Sequence, residues 1–141
     1  MTFNERRCEM KIKTTELKDL ALDWAAAKAA EEAFGFYSGD FYVAGEDAPY
    51  HPSTKWSQGG PIIEREKCIA TMERLNGGHW RVQGPYDITH DRPGAFYYGP
   101  TPLIAAMRAF VASKLGDEVE IPEELLQVRA RKDNSGFVVN N

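Results

Sequence analysis

The stretch that decides the fold runs from residue 101 to residue 116. It reads Thr101-Pro102-Leu103-Ile104-Ala105-Ala106-Met107-Arg108-Ala109-Phe110-Val111-Ala112-Ser113-Lys114-Leu115-Gly116. Thr101 suits the N-cap position, and Pro102 suits the first helical position, where its missing N–H removes no hydrogen bond. Gly116 can adopt the left-handed conformation that ends many helices. One apolar face recurs at three- and four-residue steps: Ile104, Met107, Val111 and Leu115, widened by Leu103 and Phe110. The pattern predicts a core helix over 102–115.

A second helical pattern lies near the N-terminus. From Thr15 onward apolar residues again recur at three- and four-residue steps, and alanine dominates residues 25–30. We expect a helix over about 16–33, ending before Gly35, with Trp24 as a core anchor. Lys11–Thr14, Phe41–Val43 and a hairpin of 68–75 with 79–83 read as strands, the last because Asn76-Gly77-Gly78 is a strong turn signal.

Together these patterns predict an α+β fold with two main helices packed on a small, mainly antiparallel sheet. We expect one globular domain over residues 10–127, an N-terminal extension over 1–9 and a loosely ordered tail over 128–141. One reading of the extension is that translation starts at Met10. The other is a disordered N-terminal arm.

Bulk composition limits the classes of function. The chain has 141 residues, a net charge of -4 and two cysteines, Cys8 and Cys68. The net charge argues against general electrostatic binding to duplex nucleic acid, which relies on a surplus of Lys and Arg. No apolar run approaches the roughly 20 residues of a membrane span, and two cysteines fit a reducing cytosol. We therefore expect a cytoplasmic protein.

The stretch most suited to holding a ligand covers residues 53–66, Ser-Thr-Lys-Trp-Ser-Gln-Gly-Gly-Pro-Ile-Ile-Glu-Arg-Glu. Trp56 could stack on a base or sugar, and paired glycines let a backbone approach a ligand closely. If Pro61 begins a helical turn, the unpaired amides there favour an anion. The candidate ligand-binding residues are Ser53, Thr54, Trp56, Ser57, Gln58, Gly59, Gly60, Glu64, Arg65 and, from the later helix, Arg108. The structural alternative is an irregular turn that inserts Trp56 into the core and pairs Arg65 with an acid.

Catalytic chemistry has weaker support. His51, His79 and His90 share no metal-ligand spacing with Cys68, so we expect neither a metal nor a cofactor. Glu64 and Glu66 would share a face on a strand but diverge on a helix, and each lies beside a basic residue. An acid/base pair would also need a deep pocket and a raised carboxylate pKa. An enzyme is therefore the weaker alternative.

Several ordered blocks resemble the NinX-like proteins, small proteins of temperate phages and prophages from the nin region of lambdoid phages. The blocks cover residues 10–17, 22–25, 52–66, 99–108 and 111–116. The resemblance spans about residues 10–125. It implies an accessory role in a bacterial host cell, because genes of that region serve recombination, regulation or interference with the host.

The leading hypothesis is a non-enzymatic binder that sequesters a small anionic, nucleotide-derived molecule, with a host anti-phage immune signal as the candidate. The alternative is a protein–protein interaction module that modulates a host or phage factor. The alanine-rich helix would suit close packing against a second subunit, and the sequence leaves open whether the protein forms a homo-oligomer.

Overall fold

Within the part of the chain that it describes, the computed structural model contains three α-helices of eleven residues or more and several small sheets, most of them antiparallel, which confirms the α+β class. The structure describes residues 9–37, 40–46, 48–123, 125–126, 135–136 and 138–139. Most of the expected extension and tail therefore lies outside the described residues. None of the helices in the described ranges is long and apolar enough to cross a membrane.

The predicted core helix, α3, spans Pro102–Leu115 and lies at the centre of the molecule. Thr101 is the predicted N-cap, and its Oγ1 accepts a hydrogen bond from Ile104 N at 3.1 Å. Gly116 ends the helix at a positive φ of 95°, but its ψ of -168° lies outside the left-handed helical conformation that the sequence predicted. Met107 and Phe110 have no exposed surface. The helix is apolar on nearly all sides because other elements surround it: α1 (Asp19–Ala29), α2 (Trp56–Glu66), β5 (Trp80–Gln83) and β6 (Phe96–Gly99).

Helix α1 spans Asp19–Ala29 and is shorter than the predicted 16–33. Thr14–Glu16 instead form a separate 3₁₀ turn, and the N-cap residue is Lys18, without a side-chain cap. Trp24 is partly buried and packs against both the main apolar cluster and a second cluster around Phe41. The expected core role of Trp24 therefore fits its position.

Helix α2, Trp56–Glu66, was not expected as a helix. Gly59, Gly60 and Pro61 favour turns when they are considered locally, yet all three lie within it. Ile62 is buried in the main apolar cluster beside α3, and Gly59 lies against Leu103 of α3. Tertiary packing therefore overrides the low helix propensity of these residues.

The strands form short, separate sheets rather than one. Strands β1 (Glu9–Lys13) and β7 (Glu118–Pro122) pair antiparallel, as do β2 (Phe34–Tyr37) and β3 (Asp40–Val43). The predicted hairpin is present as β4 (Thr71–Arg74) and β5 (Trp80–Gln83), with β6 (Phe96–Gly99) paired to β5. The short strands β8 (Ser135–Gly136) and β9 (Val138–Val139) pair with each other in parallel. Strands β2, β6 and β7 were not predicted from the sequence.

Candidate functional site

The start of α2 presents unpaired backbone amides and an exposed indole. Gln58 N and Gly59 N both donate to Lys55 O, at 3.0 and 2.9 Å. Trp56 N and Ser57 N, in contrast, have no acceptor within the described part of the chain. The Trp56 side chain is 53% exposed. The helix end with unpaired amides is therefore at Trp56, and the hypothesis that a helical turn begins at Pro61 is wrong because Pro61 lies well inside α2.

Several residues predicted to bind a ligand instead fix α2 in place. Gln58 Oε1 accepts from His51 N at 2.6 Å, and Gln58 Nε2 donates to Pro49 O at 2.9 Å. A Cβ on Gly59 would lie 2.3 Å from Pro52 O and 2.6 Å from Leu103 Cδ1. These contacts hold the 49–52 loop against the helix. They thereby fix the residues that precede α2 beside the start of this helix.

A histidine clamped between two carboxylates lies next to this helix start. His51 Nδ1 is 2.9 Å from Asp23 Oδ2, and His51 Nε2 is 2.9 Å from Asp40 Oδ1. Asp23 Oδ1 also accepts a hydrogen bond from Ser53 N at 2.9 Å. The arrangement joins α1, β3 and the loop before α2, which lie far apart in the sequence.

The charge state of His51 follows from this geometry. The hydrogen bond that His51 donates to Asp23 is the largest cause of the raised pKa of His51; burial lowers this pKa, but the charges of Asp23 and Asp40 raise it further. The side chain of Asp23 is 3% exposed, and a buried carboxylate is stable only when it is paired. Nearby, burial raises the pKa of Tyr50 to about 12, so its hydroxyl stays protonated.

An open cleft of about 220 Å³ begins at this clamp. Its lining residues are Asp19, Leu20, Asp23, Asp40, His51, Ser53 and Thr54. Ser53 is 1% exposed, and its Oγ has no hydrogen-bond partner among the described residues. A buried hydroxyl without a partner is costly, so a ligand or water that reached it would be favoured. Thr54 joins the cleft to the exposed start of α2.

The described residues form no group of three or more His, Cys, Asp and Glu side chains suited to a metal ion. Both ring nitrogens of His51 are taken up by carboxylates, so neither offers a lone pair to a cation.

The remaining predicted site residues do not line the cleft. Glu64 and Arg65 lie on the exposed side of α2, where Arg65 Nε bonds Glu66 Oε2 at 2.9 Å. Arg65 and Lys114 hold the pKa of Glu66 below its usual range, the opposite of the shift that an acid catalyst needs. Arg108 donates to Leu17 O and to Tyr98 O, at 2.8 and 2.6 Å.

Of the predicted residues, the structure therefore brings together Ser53, Thr54, Trp56 and Ser57. The sequence reading missed Asp23, Asp40 and His51. One signal was available for Asp23, because an acid within the apolar run of residues 20–27 needs a buried partner. Nothing local indicated that the partner would be His51, 28 residues further along.

Comparison with known proteins defines the class as a small bacteriophage protein. The sequence profile of the family described as Bacteriophage P22, NinX matches residues 13–114, more than two thirds of the chain. The chain belongs to the NinX family. Among curated proteins, none matches it. The matched range contains α1, α2, the cleft and nearly all of α3.

Proposed function

We propose that this NinX family protein binds and sequesters a small, phosphate-bearing, nucleotide-derived molecule, with a host immune signal as the candidate ligand. The observation that carries the proposal is the exposed indole of Trp56 beside two unpaired amides, next to the cleft at Thr54. The ligand would lie across the start of α2, with its phosphate and its base in different surroundings.

The phosphate would bind at the first turn of α2. The amides of Trp56 and Ser57 point out of the helix end, where the helix dipole favours negative charge. The exposed Lys55 adds a positive side chain beside them, and the Ser57 hydroxyl adds a further donor. This local arrangement suits an anion although the whole chain carries a net charge of -4.

A ring of the ligand, either a base or the sugar, would pack on Trp56. A tryptophan with half its surface exposed leaves apolar area in water, which a flat ring can cover. The edge of the indole lies near Gly60, since a Cβ at Gly60 would be 3.8 Å from Trp56 Cε3. The exposed half of the tryptophan is open to a ligand.

Binding without turnover is favoured by the state of His51. A general base needs an available ring nitrogen within reach of the proton that it removes. Both nitrogens of His51 already contact carboxylates. The exposed Glu64 and the ion-paired Glu66 offer no alternative base in the cleft.

Isothermal titration calorimetry against cyclic nucleotides and ADP-ribose derivatives tests the proposal. We expect at least one to bind, and Trp56→Ala to weaken that binding by roughly 5- to 150-fold, since base stacking contributes about 1–3 kcal/mol. Tyr86→Ala is the matched control, because Tyr86 is another exposed aromatic residue outside α2 and the cleft. No heat from any compound, and no co-purifying small molecule by mass spectrometry, would reject the function.

A second candidate function, protein–protein interaction, is favoured by large exposed apolar side chains in residues 86–98. These side chains are Tyr86, Ile88, Phe96 and Tyr98, of which Ile88 is 86% exposed. Phe96 and Tyr98 lie on the same face of the edge strand β6. If this function holds, the double substitution Phe96→Ser and Tyr98→Ser removes a specific partner in affinity purification from infected cells, whereas Trp56→Ala retains it.

A further inference from the structure

The charged side chains that line the cleft are predominantly hydrogen-bond acceptors. Asp19, Asp23 and Asp40 contribute carboxylates. Asp40 Oδ1 already receives Phe41 N and His51 Nε2, at 2.8 and 2.9 Å, but Asp40 Oδ2 has no partner in the described ranges. With its side chain 33% exposed, Asp40 offers this second oxygen to whatever enters.

The basic group in the cleft does not offset these acceptors. His51 uses both of its ring nitrogens on Asp23 and Asp40, so it has no N–H left for a ligand. The Ser53 amide is likewise used by Asp23. Among the described lining residues, the side-chain donors that remain are hydroxyls: the unpartnered Ser53 Oγ and Thr54 Oγ1, whose bond to His51 O is long at 3.4 Å.

The size of the cleft limits what can enter. Its volume of about 220 Å³ lies below the roughly 300–1,000 Å³ of pockets that enclose whole ligands. One flat group the size of a nucleobase is therefore a better match than an entire nucleotide. Because Thr54 lies at the junction with α2, the rest of the ligand would extend toward Trp56 and the helix start.

We propose that the cleft recognises guanine, so that the ligand of the α2 site is a guanine nucleotide; this inference rests on the proposed function. Guanine presents two neighbouring N–H donors, at N1 and N2, and the second oxygen of Asp40, Oδ2, can accept from both. Its O6 acceptor suits a hydroxyl donor such as Ser53 or Thr54. Adenine and cytosine place a ring acceptor beside their amino group, and that acceptor would oppose the carboxylate.

The test compares three nucleotides in calorimetry with the full chain: guanosine, inosine and adenosine 5′-monophosphates. Inosine differs from guanosine only in lacking the N2 amino group. We expect guanosine monophosphate to bind at least about tenfold more tightly than inosine monophosphate, since a hydrogen bond to a charged group contributes about 1.5–3 kcal/mol. This ratio is measured on the unmodified protein and needs no variant to fold.

Two variants locate the preference. Asp40→Asn should remove most of the difference in affinity between guanosine and inosine monophosphates. Glu120→Gln makes the same charge change at an exposed residue of β7 and should retain that difference. Trp56→Ala should weaken the binding of all three nucleotides by the same factor and leave the ratios of their affinities unchanged. Equal affinity for guanosine and inosine, or tighter binding of adenosine, overturns guanine recognition alone. Absence of binding by all three also overturns guanine recognition, while the proposed function is rejected only if the cyclic nucleotides and ADP-ribose derivatives give no heat either.

Discussion

At the scale of single residues, Asp23 is a buried carboxylate with hydrogen bonds to both of its oxygens. It lies among buried alanine and leucine residues of α1, where an unpaired carboxylate would be strongly destabilising. His51 and the Ser53 amide satisfy its two oxygens separately. The same bonds fix the position of the loop that leads into α2. The pairing therefore stabilises the fold and shapes the candidate site.

The clamp predicts a specific pH dependence of stability. Because the pKa of His51 is raised on folding above the ordinary 6.5, its contribution is complete below that value and is lost as pH rises through the folded pKa. We expect the free energy of unfolding of the wild type to exceed that of His51→Gln by about 1–3 kcal/mol at about pH 5.5, and by less at about pH 8.5. Urea denaturation at both pH values measures this difference.

The control for this prediction is His79→Gln, because His79 has an exposed side chain in the turn between β4 and β5. That variant should keep the pH dependence of the wild type. If the difference in free energy of unfolding between wild type and His51→Gln grew with increasing pH, it would contradict a pKa of His51 that the two carboxylates raise.

At the scale of elements, α2 shows how packing selects a conformation that local sequence disfavours. Pro61 has no N–H, so the Ser57 carbonyl lacks its helical donor, and two adjacent glycines add backbone freedom. The burial of Ile62 and the close approach of Gly59 to Pro52 and Leu103 offset these costs. The helix exists because α3 provides a surface for it.

The two glycines of α2 should therefore respond differently to alanine. Gly59→Ala places a Cβ against a backbone oxygen and should destabilise the protein by about 1–3 kcal/mol. Gly60→Ala meets only the indole edge at 3.8 Å and should be neutral or stabilising by up to about 1 kcal/mol, since alanine favours helix. Chemical denaturation of the pair measures both effects, and equal stabilities would contradict the packing described for α2.

At the scale of the whole molecule, α3 connects segments that are distant in the chain. Arg108 binds Leu17 O, just before α1, and Tyr98 O on β6. At the other end of the helix, Thr14 Oγ1 donates to Gly116 O at 2.6 Å. Burial lowers the pKa of Arg108, although its guanidinium stays charged at neutral pH. These bonds tie the small sheets to one central helix.

Removing the Arg108 fork should therefore weaken the whole fold. Arg108→Met keeps a long apolar stem but leaves two carbonyls without this donor, and we expect a loss of about 1.5–3 kcal/mol in the free energy of unfolding. Arg108→Lys should recover only part of it, because an ammonium lacks the planar fork. Thermal and urea unfolding provide the measurement. A methionine variant as stable as the wild type would show that these bonds contribute nothing.

The sequence by itself determined the elements whose signals are local. The cap at Thr101, the proline after it and Gly116 define α3, and Asn76-Gly77-Gly78 defines the β4–β5 hairpin, where Gly77 and Gly78 adopt φ values of 88° and 87°. Trp56 also stood out as a residue that could contact a ligand. Capping and turn chemistry depend on neighbours within a few residues, so these features can be read along the chain.

Only the tertiary structure decided that residues 56–66 form a helix and that Asp23, Asp40 and His51 meet beside it. Strands β1 and β7 likewise pair across more than a hundred residues, with Lys11 opposite Glu120. Such contacts depend on how buried surfaces fit around α3, and no local pattern encodes that fit. The cleft lies where three distant segments are brought together, because each must satisfy polar groups that the others bury.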